Sequence, residues 1–282
     1  MKVNRSNVRV IAGISIPLGL LTGIISLIGL LTPDFYFKET ANWQAQSVGQ
    51  DIINLCVILP ALIATTIGAC KRRPLFLTLW GGTLLYLLYT FTIYSFALHF
   101  NALFLLYCLA LGFSFYGLLY LFFLIATSPA AADIVHKNIL KLTGIYFLVI
   151  AILFYVLWLS EILPSTLQNR TPQSLTDVGL LTNPVHVLDI SVLLPGLFIT
   201  GVLLLRGNRF GLSFAPIFLA FTILMNITIG GLILVMKEKG IPADLSLTFI
   251  MGALALLSLT LLIRLARNSN SSFQTTENKT DE

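Results

Sequence analysis

The sequence predicts an all-α fold, a polytopic membrane protein with eight transmembrane helices. Of its 282 residues, 57% are hydrophobic and only 10% are charged, and the mean hydropathy is +0.91. A soluble domain is about 45–50% apolar and about 25% charged. A chain this apolar cannot bury its surface in one aqueous core, so the lipid bilayer is its predicted environment.

Eight apolar runs are long enough to cross a bilayer, which takes about 20 residues. The first run exceeds the about 7–15 apolar residues of a signal peptide, so we interpret it as a retained span. The three cysteines lie in or beside apolar runs without CxxC spacing, which is typical of core residues. The predicted spans cover residues 10–32, 52–70, 75–98, 102–126, 140–163, 185–205, 210–236 and 245–266.

The Lys and Arg residues predict the orientation, because cytoplasmic loops carry an excess of them. With both termini in the cytoplasm, only Lys38, Arg170, Lys237 and Lys239 of the 17 basic residues fall outside. The net charge of +5 therefore reflects topology, and nucleic-acid binding is excluded as a function. Residues 268–282 are polar and without periodicity, which predicts a disordered cytoplasmic tail.

The chain also predicts an internal duplication. At a constant offset of 135, five residues of the second span recur in the sixth: Val57, Leu59, Pro60, Leu62 and Thr65 match Val192, Leu194, Pro195, Leu197 and Thr200. The predicted repeats are residues 1–135 and 136–267. Four spans per repeat make the two repeats parallel.

The sixth span opens with "TNPVHVLD", in which His186 and Asp189 are three residues apart. Asn183 is the expected N-cap, so Asp189 lies nearly two turns into the helix. A carboxylate at that depth costs several kcal/mol unless it has a partner or faces a water-filled cavity. At the offset of 135 these positions match Asp51 and Asn54. Asp51 follows "VGQ", and we interpret it as a helix cap favoured by the helix dipole.

A further acid, Glu161, ends the fifth span beside Trp158, which we interpret as an ordinary interfacial belt residue. Glu161, His186 and Asp189 are expected to converge, with Asp51 and Asn54 across the pseudo-axis. These residue types could bind a divalent metal, form a proton relay, or only hold helices together by contacts with one another. No cofactor motif is evident, and if a metal binds, its predicted ligands are His186, Asp189 and Glu161.

Pro60 and Pro195 lie inside the matched spans, one in each repeat, and are expected to kink or unwind their helices. Paired breaks at matching positions are what a central pathway would show. A kink that serves only packing stays open as the alternative.

At "WLSEILP" and "TNPVHVLDISVLLPG" the chain resembles a group of bacterial polytopic membrane proteins with an Asn-Pro-Val-His-Val-Leu-Asp helix start. The resemblance covers about residues 155–210. It implies a bacterial cytoplasmic membrane and no particular activity.

Three functions stay open on the sequence. The leading hypothesis is binding or transport of a small solute, ion or lipid headgroup near the outer membrane face. Asp189, His186 and Glu161 would be its primary polar contacts, and Asp51 and Asn54 its partners from the first repeat. The alternatives are a membrane-embedded metal-dependent enzyme and a non-catalytic structural or sensory subunit with a protein partner.

Overall fold

The computed structural model describes residues 4–128 and 137–277, with side chains described as far as residue 267. Every regular element in these ranges is a helix, and eight helices are long and apolar enough to cross a membrane. We number them as spans 1 to 8: Arg5–Leu31, Ala41–Cys70, Pro74–Ala97, Phe104–Thr127, Lys137–Leu167, Pro184–Leu205, Arg209–Glu238 and Leu245–Arg267.

The predicted number and order of the spans are confirmed, but the predicted start of span 2 is wrong. Its helix begins at Ala41, where the Thr40 hydroxyl accepts a hydrogen bond from the Trp43 N–H at 3.3 Å. Residues 43–51 are buried or half-buried, so their polar side chains lie inside the bundle rather than in a loop. Asp51 is therefore three turns into the helix, and its interpretation as a cap is wrong.

Spans 3 and 7 form the centre of the bundle. In their most apolar stretches, 67% and 56% of the residues are buried, against 22% in span 8. Gly82 of span 3 lies against the backbone of span 7, where an added β-carbon would come within 2.6 Å of the Ile217 carbonyl oxygen. The two predicted repeats thus meet along spans 3 and 7, at a contact that only glycine permits.

Large apolar side chains point outward around the bundle. Leu20, Phe123, Leu153 and Leu256 are each more than half exposed, and they come from four different spans. Exposure of this kind on all sides marks a surface that lipid covers, because a soluble protein rarely exposes contiguous apolar area of this extent. The fold is therefore consistent with an integral membrane protein.

Odd-numbered spans end at one face of the bundle, which we call the acidic end; its loops are residues 32–40, 98–103, 168–183 and 239–244. Contacts between these loops hold them in place. His99 pairs with Glu39 at 3.0 Å, and beside these loops the Trp43 indole of span 2 donates to the Ala97 carbonyl at the end of span 3 at 3.1 Å. A short helix, Gln173–Val178, packs near Thr40, whose hydroxyl donates to the Asp177 carbonyl at 3.2 Å.

Spans 2 and 6 each contain a five-residue π-helical segment: the first π segment is Asn54–Ile58 and the second is Asp189–Leu193. In each, an N–H five residues on reaches back to the carbonyl of the first residue, Asn54 or Asp189. Each segment is followed by an α-helix with proline at its second position. The expected break near each proline is therefore present as a π turn, and the two turns stand 135 residues apart.

The duplication stays a prediction, and the predicted boundary between its repeats, 135/136, lies outside the described residues. The last helix extends to Glu277 and so overlaps the predicted disordered tail, of which residues 278–282 also lie outside the described part. The disorder of that tail and the cytoplasmic placement of both termini likewise stay predictions.

Candidate functional site

A cavity of about 350 Å³ lies between the two halves of the bundle. Spans 2 and 3 contribute one side of its wall and spans 5 to 8 the other. In span 7 its lining runs from Met236 to Phe221, about 22 Å along the helix axis. The cavity therefore reaches from near the acidic end to the middle of the bundle, and its volume is within the range of small-molecule pockets, about 300–1,000 Å³.

Most of the wall is apolar or aromatic. Rings line it from four spans, among them Trp43, Tyr94, Phe154, Trp158 and Phe221. Polar side chains come from two groups, amides and hydroxyls such as Gln50 and Thr228, and the single carboxylate described below. A few placed polar groups in an apolar wall are the usual composition of a site that orients a small ligand.

Asp189, the first residue of the second π segment, contributes its carboxylate to the cavity wall. Oδ1 accepts a hydrogen bond from the Tyr89 hydroxyl at 3.2 Å, and Oδ2 accepts one from the Trp158 indole N–H at 2.9 Å. Both donors are neutral. Among the described residues no Lys, Arg or His nitrogen lies within 4.0 Å of this carboxylate, and Asp189 is the only charged side chain lining the cavity.

His186 and Glu161 lie close by but outside the lining. The buried His186 ring packs on Trp158 with centroids 4.6 Å apart, and the Asn183 amide is 3.5 Å from His186 Nε2. Glu161 accepts a hydrogen bond from the Ser174 N–H at 3.2 Å. Trp158 is thus the residue that joins the cluster, because it bonds Asp189 through its nitrogen and contacts His186 with its ring.

Asp51 lies in a second polar cluster, behind the opposite wall. It is fully buried and accepts hydrogen bonds from the hydroxyls of Tyr36 at 2.6 Å and Tyr94 at 2.9 Å. Burial, followed by the charge of Asp51, raises the pKa of Tyr36 above its ordinary value of 10.0, so this phenol stays a donor. Gly29 packs directly on the carboxylate, and a β-carbon there would overlap it. Tyr94 lines the cavity, so it separates Asp51 from the cavity interior.

Asn54, the first residue of the other π segment, belongs to a chain of hydrogen bonds that ends at the cavity. Its amide nitrogen donates to Ser26 Oγ at 3.2 Å, and its oxygen accepts from Gln50 Nε2 at 2.9 Å. Gln50 Nε2 also donates to the Tyr86 hydroxyl at 2.8 Å, which is 2.7 Å from Thr228 Oγ1. The chain connects spans 1, 2, 3 and 7, and its last three members line the cavity.

The five predicted site residues therefore form two clusters, one behind each side of the cavity, and only Asp189 is part of its wall. Within the described ranges, no group of three or more His, Cys, Asp and Glu side chains could hold a metal ion. Trp158 contacts both Asp189 and His186, and the metal site predicted at Asp189, His186 and Glu161 stays a prediction.

Several residues of the site were not predicted. Tyr86, Tyr89 and Tyr94 of span 3 each bond to a polar group of another span, and the belt interpretation of Trp158 is incomplete because its indole N–H bonds Asp189. A signal was present in "LLYLLYTFTIYSF", since a hydroxyl in the middle of a span needs a polar partner.

No family model, curated protein or solved structure matches this chain. The resemblance to bacterial polytopic proteins stays a prediction, and the cavity and the clusters beside it are the features that bear on function.

Proposed function

We propose that this protein binds a small solute in the cavity between its halves and moves it across a membrane. The observation that carries the proposal is the cavity itself, which is apolar along most of its wall and has one carboxylate, Asp189, set into it. Asp189 is half-buried, and a carboxylate without a cationic partner is costly in a membrane domain, where such residues mark ligand and ion pathways.

The two π segments support the movement of the solute. π turns are rare inside α-helices and frequently occur at functional sites, and here each begins at a polar residue of one of the two clusters. In transporters built from parallel repeats, substrate binds at the interface of the repeats and one half rocks against the other. In this proposal the halves rock about the contact of Gly82 with span 7.

We further propose that the protein lies in a bacterial cytoplasmic membrane with both termini in the cytoplasm. The distribution of Lys and Arg supports this orientation, because it keeps most basic residues in the cytoplasm. The acidic end then lies outside. The cavity would then open toward the outer face. The enzyme and the structural subunit have no observation in their favour among the described residues.

Binding can be tested by thermal unfolding of the purified full-length protein, because a ligand of the folded state raises the unfolding midpoint. The probes are 2-phenylethanol, phenethylammonium and phenylacetate, three solutes of similar size that differ in charge. Met225 lines the cavity, whereas Ile227, two residues on, is exposed on the outer surface of the same span. The Met225→Trp change should abolish the shift by filling the cavity, and Ile227→Trp should retain it.

Transport is tested separately, by the flux of the same probes into liposomes that contain the protein. Protein-dependent uptake that Met225→Trp abolishes supports the proposal. Binding without uptake would support a solute-binding protein and contradict the proposed transport. If none of the three probes shifts the midpoint of the wild type, the proposed function is wrong.

A further inference from the structure

We infer that the solute of this cavity is a monovalent organic cation, an ammonium group carried on an apolar or aromatic body. The inference rests on the proposed function and names the substrate class of the same site. It depends on the charge of the wall, on the unused acceptor positions of Asp189, and on the rings around it.

The charge of the wall selects a cation. The lining contains one acid and, among the described residues, no Lys, Arg or His. Tyr89 and Trp158 stabilise the carboxylate by donating hydrogen bonds, but neutral donors leave its charge in place. An anion would meet this charge in a mostly apolar wall, whereas a single positive group would neutralise it.

The carboxylate also has acceptor positions left over. An ionised carboxylate offers about four lone-pair sites on its two oxygens. The structure uses one on each oxygen, for Tyr89 and for Trp158. An ammonium group can donate to the remaining positions, and such charge-assisted bonds are roughly twice as strong as neutral ones.

The rings beside Asp189 suit the same ligand. Tyr89 and Trp158, which hold the carboxylate, also line the cavity, and Phe221 lies with its ring centroid 6.0 Å from that of Tyr89. The faces of aromatic rings attract a cation within about 6 Å. Leu193, Leu197 and Phe154 continue the wall and would cover an apolar body.

A bare metal ion fits this wall less well. A divalent ion needs several anionic or neutral ligands around it, and the lining supplies one carboxylate. The cavity volume of about 350 Å³ also exceeds that of one ion, whereas it accommodates a molecule with a ring. Sodium ions nevertheless enter the test as a competitor.

The experiment is calorimetric titration of the purified full-length protein with the three probes named above. Wild type should bind phenethylammonium about tenfold or more tightly than 2-phenylethanol, and phenylacetate most weakly. In Asp189→Asn, which keeps the shape of the side chain, the ratio of the first two affinities should fall to about one while 2-phenylethanol still binds. Asp34→Asn removes a carboxylate from an exposed loop of the acidic end and should leave the ratio unchanged.

Each outcome decides the inference. Equal affinities in wild type overturn the preference for a cation even if Asp189→Asn fails to fold, while the proposed binding of a solute survives. Displacement of phenethylammonium by sodium chloride, but not by an equal ionic strength of N-methylglucamine chloride, assigns the site to an inorganic cation and overturns the organic class. If none of the probes binds, the proposed function itself is wrong.

Discussion

Substitution of Gly29 by alanine tests whether the buried Asp51 cluster stabilises the bundle. The new β-carbon would overlap the Asp51 carboxylate and come within 2.7 Å of the Tyr36 hydroxyl. The carboxylate must then move away from Tyr36 and Tyr94, which donate to it at 2.6 and 2.9 Å. Two hydrogen bonds to a charged group are each worth about 1.5–3 kcal/mol, and the better helix propensity of alanine returns about 1 kcal/mol. We expect a net loss of about 2–5 kcal/mol.

The assay is equilibrium unfolding in mixed micelles, and the control is Gly13→Ala on the same helix. Gly13 is exposed, and nothing would lie within 4 Å of a β-carbon there, so this variant should match or slightly exceed the wild type. In an Asp51→Ala background the cost of Gly29→Ala should shrink, because the two sites share a contact. Equal unfolding free energies for Gly29→Ala and Gly13→Ala would refute the reasoning.

Three further predictions concern the rest of the bundle. Gly82→Ala should cost about 1–3 kcal/mol of unfolding free energy, because the Ile217 carbonyl cannot withdraw, whereas Gly112→Ala, with open space around it, should cost nothing. Tyr86→Phe should cost about 1–3 kcal/mol by removing two hydrogen bonds, to Gln50 and Thr228, and Tyr116→Phe on the exposed surface should not; equal unfolding midpoints would contradict this. A fluorescent protein fused to the C-terminus should fluoresce in bacterial cells, and a periplasmic alkaline phosphatase fused there should be inactive; the reverse pattern would invert the topology.

The spans could be predicted because hydropathy over about 20 residues reports a membrane crossing directly. Span 2 is the exception. Its first turns, "ANWQAQSVGQ", are polar and resemble a loop, yet they are helical and lie inside the bundle. A hydropathy pattern cannot distinguish a polar loop from a polar helix that other spans enclose.

Asp189 could be predicted as a site residue because it lies too deep in its helix to act as a cap, and it does line the cavity. Its partners could not, because Tyr89 is 100 residues away in the chain. Asp51 also lies too deep in its helix to act as a cap. This was not recognised because span 2 was predicted to begin at residue 52. The local sequence therefore identifies a carboxylate that is energetically costly in a membrane helix. Only the packing of distant spans shows which side chains bond to it.

The prolines illustrate the same limit. Pro60 and Pro195 indicated breaks at matching positions, and π turns precede both. The start of the turns at Asn54 and Asp189 was not predicted, because no local sequence pattern indicates where the helix changes from α to π hydrogen bonding. The coincidence of break and polar residue connects the helix geometry to the proposed site.

The most direct test of the account asks whether a cationic solute touches Asp189. Infrared difference spectra, recorded as phenethylammonium is added to the reconstituted protein, report the carboxylate stretching bands. We predict a carboxylate difference band in wild type that is absent from Asp189→Asn and that 2-phenylethanol does not produce. Identical difference spectra for the two proteins at saturating phenethylammonium would contradict the account.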